Sequence, residues 1–155
     1  MLEACAGILP LSEGCVNRLS ESGKMQILRD HEGRRNQPPP TGLTLQRDGI
    51  CGEETVEERL EVSLSVAGRS MLEPTATDVL RLWSLEHRRA DRVAQLSGGQ
   101  RRRLAVLCGL APAALSAEPT VILLDEPSEG LDRAGKELLI GWMRALAEDG
   151  HSVMV

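Results

Sequence analysis

The chain has 155 residues, enough to bury one small core and too few to make a second domain credible. It carries 18 Lys and Arg against 23 Asp and Glu, a formal net charge of −5, which argues against a nucleic-acid-binding surface. The four cysteines form no Cys-x-x-Cys pair and the three histidines are scattered singly, so neither a zinc site nor a disulfide framework is indicated and reduced thiols are the default. Residues 1–15 hold Glu3 and Glu13 and no basic residue, unlike a secretory signal. The longest apolar run, 104–115, is interrupted by Gly109 and Pro112 and falls short of a bilayer span, so any membrane link is expected to come through a partner.

Along the chain, residues 1–17 are poorly patterned and 18–33 read as a loop and a helix. Residues 34–41 form a polar, Pro-rich connector, 42–49 read as a strand, and 50–59 are acidic and expected at the surface. Leu60, Val62, Leu64 and Val66 alternate with Glu61, Ser63 and Ser65 as a half-buried strand would. Thr75-Ala76-Thr77-Asp78 resembles a capping box opening a helix through Leu85, with apolar surface from Val79, Leu80, Leu82 and Trp83.

The informative segments follow. Ser97-Gly98-Gly99 precedes Gln100-Arg101-Arg102-Arg103-Leu104, a good helix-forming run, so a hydroxyl and two glycines sit at a helix N-terminus. Free backbone N–H groups and the positive end of the helix dipole make that an anion site, and glycines let a phosphate approach closely. The arginine cluster 101–103 is read as the solvated face of this helix, and the Ala-rich stretch 111–118 as its end and a loop. Thr120 to Leu124 is a short, β-branched apolar run that reads as a buried parallel strand. Asp125 and Glu126 leave its C-terminal edge, where ligands of open α/β sheets bind. There Asp125 is suited to hold Mg²⁺ and Glu126 to orient or deprotonate a water. Asp132 is a plausible N-cap for a helix carrying Leu138, Leu139, Trp142 and Leu146, with Trp142 in the core and Gly150 as the stop. His151 is read as a solvated turn residue, and residues 152–155 begin another apolar strand.

Taken together, Leu96-Ser97-Gly98-Gly99-Gln100, the strand ending in Asp125-Glu126, and Ser128-Glu129-Gly130-Leu131-Asp132 resemble the signature, the Walker B strand and the D-loop of the ATP-binding cassette (ABC) ATPases. The resemblance implies an α/β, P-loop NTPase-like fold with a mostly parallel sheet. It also implies one partial cassette over 1–155, with a short helical subdomain at about 67–110 that carries the signature. ATP and Mg²⁺ are the implied cofactors, with Glu126 catalytic, Asp125 on the metal, Asp132 in the D-loop, and Ser97, Gly98, Gly99 and Gln100 acting in trans. Gly23-Lys24, followed by Met25 to Arg29, Gly33, Pro38 to Pro40 and Gly42, resembles the Walker A loop, its helix and the next strand. Gly23 and Lys24 would then bind phosphate; the alternative is a surface turn before a helix. The pattern departs from the family in placing Arg18 at the first glycine and Met25 at the Mg²⁺-ligating hydroxyl.

Two family elements do not fall where the resemblance puts them. No glutamine follows residues 60–66 closely, since Gln46 lies in an earlier strand and Gln95 abuts the signature, and no aromatic precedes residue 23 to stack on adenine. The switch histidine would lie beyond the strand begun at 152, so the resemblance implies a C-terminally incomplete cassette. Three functions are open at this point. The first is the ATP-binding subunit of an ABC transporter, paired with a second cassette in a homo- or heterodimer and with a membrane permease, cytoplasmic and peripheral on the inner face. The second is a soluble F-type cassette on the ribosome. The third is a degenerate, non-hydrolysing cassette that supplies its signature to a partner, and hydrolysis by this chain alone is expected to be weak.

Overall fold

A computed structural model describes residues 2–6, 8–19, 23–34, 41–45, 50, 52–66, 68–72, 76–116 and 119–155. The chain divides into two compact units, residues 1–39 and 40–155. The first contains a short helix α1 (Leu2–Ala6) and an antiparallel hairpin of β1 (Cys15–Leu19) and β2 (Met25–Asp30), paired from Cys15↔Asp30 to Leu19↔Met25. Arg29 Nη1 donates to the Ala4 carbonyl at 3.2 Å, fixing the hairpin to α1. The helix expected after Gly23-Lys24 is therefore a strand. Met, Gln, Leu and Arg favour helix intrinsically, but a five-residue run cannot sustain one in isolation, and the ladder offered by β1 decides the outcome.

The second unit is built on a parallel sheet in the order β3 (Thr41–Thr44), β4 (Val121–Leu124), β5 (Ser152–Met154). Gly42 stands opposite Ile122 and Thr44 opposite Leu124, while Ile122 pairs with Val153. Ile122 and Leu124 have no exposed surface, the burial expected for a strand read as a continuous apolar run. The strand expected over 42–49 is thus present in its first part, and residues 46–49 lie outside the described residues.

Residues 60–66 are not a strand. They belong to α2 (Val56–Val66), opened by a capping box in which Thr55 N–H donates to Glu58 Oε2 at 2.7 Å and Glu58 N–H to Thr55 Oγ1 at 3.2 Å. Val56, Leu60 and Leu64, spaced by four, have no exposed surface, whereas Val62 is 48 % exposed. The two-residue alternation was thus a helical stripe sampled at the wrong period, and the stretch expected at the surface, 50–59, contributes Val56 to the core. α3 (Ala76–Leu82) ends sooner than expected: Ser84, at φ 57°, turns the chain so that Trp83 and Leu85 are fully buried. Thr75, read as its cap, lies outside the described residues.

α4 (Gly98–Ala114) is the central helix, packed on β3, β4 and α2. Its approach to β3 depends on two glycines. A Cβ on Gly42 would overlap the Gly109 carbonyl oxygen, and one on Gly109 would overlap Thr44 Oγ1 and press on the Leu43 backbone at 3.1 Å. α5 (Arg133–Glu148) buries Leu139 and Leu146, sets Trp142 edge-on to Trp83 with ring centroids 5.7 Å apart, and stops at Gly150, φ 91°. His151 is buried rather than solvated. Its Nδ1 accepts from the Thr120 N–H at 3.1 Å and lies 3.1 Å from Thr120 Oγ1, while Ser152 N–H donates to the Thr120 carbonyl, so the ring locks the starts of β4 and β5 together. Among the described residues no helix is long and apolar enough to cross a membrane.

Two glycine substitutions should separate close packing from helix propensity. Gly109→Ala should cost about 1–3 kcal/mol, because overpacking against a strand backbone outweighs alanine's helical preference. Gly141→Ala, on α5 with nothing within 4 Å of the added methyl, should gain about 0.5–1 kcal/mol. Chemical denaturation of both variants checks this, and equal effects would refute the glycine-gated crossing.

Candidate functional site

The N-terminus of α4 is capped by its own side chains. Ser97 Oγ accepts from the Gln100 N–H at 3.3 Å, and Gln100 Oε1 accepts from the Ser97 N–H at 3.0 Å. Gln100 is thereby engaged in the cap rather than held out to a ligand. Gly98 faces open space, and its N–H and that of Gly99 belong to the first turn, where no intrahelical acceptor exists. Gly99 abuts the Gly130 backbone, its would-be Cβ lying 3.7 Å from that carbonyl oxygen.

The carboxylates lie at the end of β4. Asp125 N–H donates to the Thr44 carbonyl at 2.9 Å, extending the β3–β4 ladder by one residue. Glu126 then turns sharply at φ 45°, exposed, and Glu129 N–H closes the turn onto its carbonyl at 3.0 Å. A non-glycine residue in this region costs on the order of 1–2 kcal/mol, so something nearby must hold it there.

The arginine cluster supplies that hold: contrary to the solvated face expected of it, Arg102 is buried. Arg102 is 4 % exposed and spreads its guanidinium over backbone carbonyls: Nε to Glu129 at 3.1 Å, Nη1 to Leu45 at 2.8 Å, and Nη2 to Glu126 at 2.7 Å and Asp125 at 3.3 Å. Arg103 grips both oxygens of Asp132 at 2.7 and 2.9 Å. Asp132 in turn caps α5 by accepting from the Gly135 N–H at 3.0 Å. The Arg103 hydrogen bonds, and after them the Gly135 N–H, hold the Asp132 carboxyl below its ordinary 3.8. Composition hid this cluster, because an arginine run on a helix looks the same whether its acceptors are water or carbonyls.

Ser97, Gly98, Gly99, Gln100, Asp125, Glu126 and Asp132 are thus brought into one block, built from the first turn of α4, the end of β4 and the loop 126–132. Gly23 and Lys24 are placed differently, on the turn of the β1–β2 hairpin, with Gly23 at φ 73°. A strand follows them, so the helix N-terminus that a phosphate loop requires is not built there. The strand beside β4 is β3, and the glutamine that follows it is Gln46, outside the described residues; Leu45, just before it, is already tied to Arg102. Among the described residues no group of three or more His, Cys, Asp or Glu could hold a metal ion. A single strand-end carboxylate does fit Mg²⁺ that arrives with phosphate ligands and water, as Mg²⁺ commonly binds.

Residues 2–129 match the family model described as ABC transporter. The chain belongs to the ABC transporter family. A sulfate/thiosulfate import ATP-binding protein of Nitrosomonas europaea is 31 % identical over 162 residues, covering all of this chain and 41 % of that protein. A methionine import ATP-binding protein of Vibrio cholerae is 29 % identical over 146 residues, 85 % of this chain and 40 % of the relative. Among solved structures, a dimeric post-hydrolysis state of an ATP-binding cassette bound to ADP and Pi is similar with a TM-score of 0.60 and 27 % identity, over 73 % of this chain and 50 % of that one. The chain spans about two fifths of the length of these curated relatives. The α/β cassette fold expected from the motifs is the observed one, with its parallel sheet.

The Arg103–Asp132 pair predicts a pH-dependent difference. Because the folded carboxyl titrates below its unfolded value, the pair's contribution is complete above the ordinary 3.8 and is lost as pH falls through the lower folded value. Asp132→Asn keeps a good N-cap but removes the charge. Urea unfolding should show wild type more stable than the variant at neutral pH, with the gap closing in acid; a gap independent of pH would contradict the pairing.

Proposed function

We propose that this chain belongs to the ATP-binding subunit of an ABC transporter, in which two cassettes pair and ATP hydrolysis drives transport through a membrane permease. The observation that carries this reading is the single block formed by the open N-terminus of α4, the Asp125-Glu126 end of β4 and Asp132. An anion-binding helix terminus and a water-activating carboxylate are both needed for phosphoryl transfer to water. Ser97, Gly98 and Gly99 would face the γ-phosphate held by the partner cassette, as the exposure of Gly98 allows. Asp125 is the carboxylate that would hold Mg²⁺, which neutralises phosphate charge when bound with the nucleotide. Glu126 would take the proton of the water that attacks the γ-phosphorus, while the electron pair of the breaking bond leaves with ADP.

The import proteins among its relatives support a transport role; on this reading the cassette would act peripherally, on the inner face of the membrane. The cassette-dimer arrangement is supported by the likeness to a dimeric cassette.

In the assembled complex with its partner cassette, Glu126→Gln should lower hydrolysis by about a hundredfold or more while changing nucleotide affinity only a few-fold. Ser97→Asp keeps a helix cap but places a negative charge where the phosphate must approach, and should abolish nucleotide-driven pairing of the cassettes. Phosphate release and size-exclusion chromatography with Mg-ATP measure the two effects. Wild-type hydrolysis in Glu126→Gln would remove the general base, and undiminished pairing in Ser97→Asp would remove the role in trans.

A further inference from the structure

We infer that Arg102 is a positioning residue for Glu126, fixing the backbone from which the general base projects; this rests on the function proposed above. Glu126 sits at φ 45°, a conformation an L-residue rarely adopts unaided. Arg102 Nη2 donates to the carbonyl of Glu126 itself, at 2.7 Å, and the same nitrogen reaches the Asp125 carbonyl at 3.3 Å. The other two arms brace this peptide from both sides. Nη1 holds Leu45 at 2.8 Å, just past the strand that pairs with β4, and Nε holds Glu129 at 3.1 Å, where the turn opened by Glu126 closes.

With Arg102 only 4 % exposed, these bonds form in a poorly solvated setting, where a charged donor is strong and an unpaired carbonyl is costly. The planar fork of arginine suits these four carbonyls, which belong to two separate stretches of chain, residue 45 and residues 125–129; a point charge cannot reach them all. Arg102 also stands at the start of the second turn of α4, three residues after Gly99. The helix terminus offered to the partner's nucleotide and the carboxylate of the cassette's own site therefore share one guanidinium.

The test is kinetic, in the assembled complex. Arg102→Lys keeps charge and stem but loses the fork, and Arg102→Gln is read in its place if thermal unfolding shows the lysine variant to be unfolded. The expected result is a fall in kcat of about tenfold or more with KM for Mg-ATP within about threefold, since a displaced base impairs the transition state more than ground-state binding. In the Glu126→Gln background the same substitution should change the residual rate by less than about twofold, because the carboxylate being positioned is already gone.

Full kcat in a folded Arg102→Lys variant, a loss confined to KM, or losses that multiply in the double variant would each overturn the assignment. Collapse of both variants would overturn it too, by showing a purely structural residue. Wild-type hydrolysis in Glu126→Gln alone is a distinguishable failure, since it removes the general base on which the inference rests.

Discussion

A buried guanidinium bonded to backbone is the constraint around which the second unit is arranged. A charge held away from water is tolerated only where its donors are met, and Arg102 meets carbonyls of Leu45, Asp125, Glu126 and Glu129. Those acceptors exist at the right spacing only if β3 and β4 are in register, the chain turns back at Glu126, and α4 lies close on the sheet. The last condition is met by Gly42 and Gly109, which allow strand and helix backbones to touch. Packing density and polar satisfaction thus impose the same geometry, and a shift of α4 large enough to admit one methyl would also unseat the arginine.

The neighbouring contacts extend this block along the first two turns of α4. Gly99 rests on Gly130, Arg102 reaches Glu129, and Arg103 grips Asp132, so residues 99–103 engage the loop at 129–132 through three separate contacts. Asp132 has two duties at once, since it caps α5 and neutralises Arg103. Two helices and a loop are consequently oriented by side chains rather than by hydrophobic burial alone. That matters for the proposed site, whose working parts would be a helix end and a strand-end carboxylate, because hydrophobic contact is non-directional and cannot set such angles.

How much of this was legible in the sequence depended on whether the deciding partner was local. β4 declared itself by a β-branched run, α5 by Asp132 and Gly150, and the start of α4 by Ser97 and Gln100, because each signal acts within a few residues. The capping box Thr55-x-x-Glu58 is an equally local signal, but the alternation of Leu60, Val62, Leu64 and Val66 suggests a strand, whereas Val56, Leu60 and Leu64, spaced by four, are the fully buried ones among the described side chains of α2. β2 went unseen because its partner is β1, and a strand's existence depends on a ladder elsewhere in the chain. His151 and Arg102 were misplaced for a related reason: a polar residue looks solvated until the tertiary fold shows which backbone groups it must satisfy.

The choice of Ser97 at the head of α4 carries a final consequence. Aspartate and asparagine cap helices about as well as serine, so helix stability alone does not select it. An aspartate there would set a negative charge against any approaching phosphate, opposing the dipole that attracts it. A serine oxygen can accept from the Gln100 N–H, as it does here at 3.3 Å, and still carry a hydroxyl proton to donate outward. The cap takes up the Gln100 N–H and leaves those of Gly98 and Gly99 without an intrahelical acceptor, so on the proposed function the capped helix end would keep its attraction for an anion. Serine stabilises the helix without adding a charge, so it meets both the demand of the cap and that of the anion role proposed for this helix end.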